Sequence, residues 1–126
     1  MSGPAYLRDM PPLDRTTLGR VRSVCLALPG AAERARHGTP SFFVGKKLFA
    51  QYWNDHHSDD REALWCAAPI GMQRMRVRAD PERFFVPPYV GHRGWLGVRL
   101  DRRPRWADIE GVIEEAYACV APGPRV

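Results

Sequence analysis

Leu18, Val21, Val24, Cys25 and Leu28 recur at the spacing of one helical face, with Asp14 placed to cap the start and "LPG" at 28–30 to close the run. A second amphipathic helix begins near Pro104 and gathers Ile109, Val112, Ile113, Ala116, Tyr117 and Val120 on one side. Asp108, Glu110, Glu114 and Glu115 fall largely off that side. Between the two helices the period changes. "AAERARHGTP" leads into "SFFVGKKLFAQYW", two aromatic and β-branched runs separated by Gly45, Lys46 and Lys47, which predicts a hairpin with a short glycine turn. In its second run Leu48, Ala50 and Tyr52 alternate with Phe49, Gln51 and Trp53, so both faces carry bulk, one to pack on helices and one partly open.

After the polar loop "NDHHSDDRE", "ALWCA" at 63–67 adds an antiparallel strand, and "WLGVRL" at 95–100 adds another. "PIGMQRMRVRAD" carries both signals. Arg74, Arg76 and Arg78 alternate with Met75 and Val77 as in a strand, yet Pro69 and Gly71 suit a helix start, and the reading leans to a helix. The order that results is helix, hairpin, strand, short helix, irregular loop, strand, helix. That is an α+β domain, an antiparallel β-sheet with helices packed on one face, spanning 14–121 between a proline-containing arm at 1–13 and a tail at 122–126.

Composition narrows the function classes. No apolar stretch approaches the roughly 18 residues that span a bilayer, the start lacks the pattern of a secretory leader, and a cytoplasmic location without membrane contact is expected. Cys25, Cys66 and Cys119 are odd in number and lack a CxxC pair, which argues for reduced core thiols over disulfides or zinc. No glycine-rich phosphate loop, nucleophile elbow or HExxH is present, so nothing calls for catalysis or a cofactor. His56 and His57 beside Asp55, Asp59 and Asp60 have metal-ligand atom types, but adjacent histidines in a polar loop make poor ligands for one ion, and no metal site is assigned.

The net charge is +5, unevenly spread: residues 1–106 hold 18 basic and 10 acidic groups, whereas 107–126 hold 1 and 4. Seventeen of the 19 basic residues are Arg, which suits bidentate phosphate contacts. Lys46 and Lys47 at a hairpin tip form a basic wing, and Arg74, Arg76 and Arg78 would extend it. The stretch "FFVPPYVGHRGW" at 84–95 sets a stiff Pro87-Pro88 step before Tyr89, His92, Arg93 and Trp95. It reads mainly as a rigid connector that positions a strand, with Tyr89, His92 and Arg93 as its functional outliers. His37, beside a Gly-Thr-Pro turn, is more suited to turn hydrogen bonding than to a ligand contact.

"ADPERFFVPPYVGHRGWLGVRLD", preceded by "LPGAAERARHGTPSFFVGKKLFA", resembles the MmcQ/YjbR family of small bacterial proteins over about residues 17 to 121. The resemblance implies a sheet with helices on one side, similar to frataxin-like proteins and to the double-wing DNA-binding domain of a phage transcription activator. Three arginines near Met75–Arg78 depart from the more apolar helix face expected there. The function implied is non-catalytic DNA binding, with Lys46, Lys47, Arg74, Arg76, Arg78 and Arg93 on phosphates and Tyr89 or Trp95 stacking. The rival is a ligand- or protein-binding module with a pocket between the sheet and the 89–95 loop, lined by Trp53, His37 and His92.

Overall fold

The computed structural model describes residues 16–54 and 62–122. The arm at 1–13, most of the tail and the loop holding His56 and His57 lie outside the described residues. Helix α1 (Thr17–Leu26) is followed by strands β1 (Ala31–Arg36), β2 (Thr39–Val44), β3 (Lys47–Asn54) and β4 (Glu62–Cys66). Helix α2 (Met72–Ala79), the two-residue strand β5 (Phe84–Phe85), a 3-10 turn at Gly91–Arg93, strand β6 (Leu96–Arg99) and helix α3 (Trp106–Val120) complete the chain. All strand pairs are antiparallel, in the order β1-β2-β3-β4-β6-β5.

Several local details depart from the sequence reading. Thr16, two residues past Asp14, is the N-cap of α1, its Oγ1 accepting the Gly19 N–H at 3.0 Å. The run "AAERAR" is a strand, although alanine, glutamate and arginine favour helices. It is formed by pairing: His37 and Gly38 both have positive φ (56° and 75°), the sign pattern of a type I′ turn, which folds β1 back on β2 with Arg36 opposite Thr39. At the next turn Gly45 takes φ 61°, placing Lys46 and Lys47 at the opposite end of β2. The connector at 84–95 contains β5, paired with β6, and α3 starts at Trp106 rather than at Pro104.

The alternation expected along β3 is broken by a bulge. Phe42 lies opposite Ala50 but Phe43 lies opposite Leu48, so Phe49 is the extra residue and Leu48 falls on the other side of the sheet from Ala50. Phe49 is fully buried and meets the Tyr117 ring edge-on at 5.7 Å. Register then separates two faces. Phe42, Ala50, Cys66 and Leu96 share one, continued by Tyr52, Leu64, Val98 and Phe84. These join Val21 and Cys25 of α1 and Ile109, Val112, Ile113 and Ala116 of α3 in one buried cluster. Each of its large side chains contributes about 1.5–3 kcal/mol by leaving water. Cys25 and Cys66 are core thiols as expected, but Cys119 is exposed on the outer side of α3.

Candidate functional site

The second face, formed by the alternate residues, is built differently. Arg34 and Arg36 of β1, Ser41 and Phe43 of β2, Gln51 and Trp53 of β3, Trp65 of β4 and Gly97 of β6 fall on it by register. Gln51 is buried and donates from Nε2 to Ser41 Oγ at 3.0 Å, and Ser41 Oγ donates to the Thr39 carbonyl at 3.0 Å, which satisfies part of a polar seam in mid-sheet. The Trp53 and Trp65 rings lie 4.6 Å apart at 33°, and the Trp53 indole Nε1 is buried without a hydrogen-bond partner.

The segment after β5 crosses this face. Phe85 lies over Gly97 so closely that a Cβ there would come within 2.4 Å of the ring, which is why glycine occupies that strand position. Pro87 is fully buried. Gln73 of α2 pins the rest, its Nε2 donating to the Gly91 carbonyl at 2.8 Å and to the Trp95 carbonyl at 2.6 Å. Between this loop, the sheet and the two hairpin turns lies a depression of about 860 Å³. Gln51, Trp53, Trp65 and Leu48 line it from the sheet, Tyr89, Val90 and Arg93 from the loop, and Arg36, His37, Lys46 and Lys47 from the turns.

Six of the residues singled out in the sequence meet here: His37, Lys46, Lys47, Trp53, Tyr89 and Arg93. The others do not. Trp95 is 4% exposed and belongs to the core, so it offers no free ring face for stacking, although Arg93 sits 5.8 Å from its centroid. His92 is exposed but does not line the depression. Arg76 is held by Glu115 of α3 at 3.1 Å and lies over the Phe84 ring, which occupies its guanidinium internally. Arg74 and Arg78 line a separate shallow cleft on α2. α2 is a helix, so the three arginines fan around it instead of forming one row.

Sequence reasoning missed Gln51, Trp65 and Gln73 as parts of the site. The first two carried a readable signal, since each alternates with core residues on its strand; Gln73 carried none. Among the described residues the depression's charge has one sign, because no Asp or Glu of them lines it. Among the described residues Arg22, Arg76, Arg83 and Arg99 pair with carboxylates, whereas Arg36, Lys46, Lys47 and Arg93 have no carboxylate partner there. No three His, Cys, Asp or Glu of the described residues gather as a metal site would require. Burial pushes the Cys66 thiol up to about 12, and Cys25 is raised chiefly by the same cause. These groups are packing atoms remote in role from the depression.

A family model described as YjbR matches residues 26–119. The crystal structure of the Deinococcus radiodurans protein DR2400, titled with the family-model domain DUF419, superposes with a TM-score of 0.65. The two chains are 20% identical over 79% of this chain and 74% of that one, a likeness that speaks to fold alone. No curated protein matches.

Proposed function

The chain belongs to the YjbR family, and from that premise we propose that it is a non-catalytic DNA-binding protein whose contact surface is the depression on the second face of the sheet. The observation that carries this reading is the meeting of four cations, Arg36, Lys46, Lys47 and Arg93, with Tyr89, Trp53 and Trp65 around a concavity that no carboxylate of the described residues lines. Cations at both hairpin turns suit a phosphate backbone, and aromatic faces between them suit bases. A double-wing arrangement, with the helices on the far side of the sheet, is the fold reading that accompanies it, the two hairpins serving as wings. Arg74 and Arg78 then act as an outlying basic patch, and Arg76 as a structural residue.

A second reading is favoured by one observation: a depression of about 860 Å³ has the size of a small-molecule site. In that case a compact ligand would sit against Gln51, Trp53 and Tyr89, indifferent to Lys46 and Lys47. Fluorescence anisotropy of labelled mixed-sequence DNA at several salt concentrations tests the first reading. Binding should weaken steeply with salt and be lost when Lys46 and Lys47 are reversed to Glu. Affinity that does not change with salt, or survives the reversal, removes the DNA reading and leaves the small-molecule one.

A further inference from the structure

We infer that the depression takes a single strand of nucleic acid, with a base stacked on Tyr89, in preference to a duplex; this rests on the reading of the same site as DNA-binding. Tyr89 is displayed in an unusual way. The Val90 N–H donates to the Pro88 carbonyl at 2.7 Å, which closes a three-residue turn, and Tyr89 at its centre has φ 66°. A bulky residue in the left-handed region is strained, and such strain is kept where the surroundings over-determine it. They do so here. Pro87 is buried on one side, and Gln73 holds Gly91 and Trp95 on the other. The tyrosine nevertheless remains 86% exposed, on the lining of the depression. A phenol fixed at the rim of a basic concavity and left in water is the arrangement a stacking platform needs.

The remaining geometry favours splayed bases. Arg36 and His37 stand at one end of β3 and Lys46 and Lys47 at the other, roughly 20 Å apart for the six residue steps from Lys47 to Trp53. Cations at both ends of a concave track follow a backbone laid along it, and Trp53 and Trp65 lie between them. A duplex keeps its bases stacked inside a convex surface, so it would meet the rims with its phosphates while offering the Tyr89 ring no base face and leaving the floor without partners.

The test is anisotropy with a short labelled strand of mixed sequence, as DNA and as RNA, beside the same sequence in duplex form. Tyr89→Gly removes the ring at a position whose φ glycine prefers, so folding is preserved, and Tyr89→Phe keeps a ring. Expected is a single strand bound roughly tenfold more tightly than the duplex, and a loss of about fivefold or more on Tyr89→Gly. Tyr89→Phe should hold the strand more tightly than Tyr89→Gly, and the tighter of the DNA and RNA strands names the source of the ligand. Equal affinity for strand and duplex, untouched by Tyr89→Gly, overturns the single-strand inference while salt-dependent DNA binding stands. No binding of either form at low salt overturns both.

Discussion

The two faces of this sheet are made by the same strands, one residue out of step, and they differ in every respect that matters for function. One face carries Phe42, Ala50, Leu64, Cys66 and Leu96 and is closed by α1 and α3 into a continuous apolar cluster. The other carries Arg36, Ser41, Gln51, Trp53 and Trp65 and, among the described residues, is crossed by the loop after β5. Because side chains alternate along a strand, the first face can hold the fold together while the second stays available for the binding proposed above. A sheet thus separates stability from binding more cleanly than a single helix can.

The comparison is broken most severely from the helical side. Phe42→Ala should cost about 3–5 kcal/mol in urea unfolding, since Phe42 has no exposed surface; a cost below about 1 kcal/mol would mean that this face is not the principal core. Reversing Lys46 and Lys47 to Glu should act on the other side only. Roughly tenfold to a hundredfold of DNA affinity should be lost, the logarithmic salt slope should fall by about 2, and stability should stay within about 0.5 kcal/mol. Gln73→Leu tests the tie between the two faces, because among the described residues α2 holds the loop by hydrogen bonds from that amide. A loss of about 1–2 kcal/mol with faster amide exchange at 91–94 is expected; unchanged exchange would show that Phe85 and Pro87 suffice to hold the loop.

The last expectation concerns the thiols. A disulfide reagent at neutral pH should modify Cys119 alone in the folded protein and all three cysteines after unfolding, since Cys25 and Cys66 are buried. Burial raises Cys66 from 9.0 to about 12, so the unfolded chain gives up that proton first. The stability from keeping it neutral is complete below about 9 and is lost as pH rises toward 12. A flat stability curve across that window would show that the site admits water.

α1 and α3 were legible because their apolar period is long and regular, and β2, β3, β4 and β6 because aromatic and β-branched residues mark them; α2 was ambiguous, since its arginines alternate with Met75 and Val77 as in a strand. β1 was not legible, since "AAERAR" has the composition of a helix and becomes a strand only through partners ten or so residues away. The bulge at Phe49 was hidden for a similar reason: a two-residue period says nothing about where one residue is skipped. Lys46, Tyr89 and Trp53 could be picked out one at a time, yet their meeting depends on a loop crossing the sheet. Trp95 and Arg76 looked equally available until burial and Glu115 accounted for them.

Among the described residues β1 also forms one edge of the sheet, the kind of edge on which chains aggregate by adding strand to strand. Its side chains include Glu33, Arg34 and Arg36, and Arg34 is folded inward over Phe43, 4.1 Å from the ring centroid, with Nη2 donating to the Gly45 carbonyl. A second copy docking antiparallel on that edge would set Arg34 against Arg34, or Arg34 against Arg36, in the registers centred on this part of the strand. Like charges facing each other across that edge would oppose self-templated sheet growth, a service to the chain apart from any ligand that Arg36 meets.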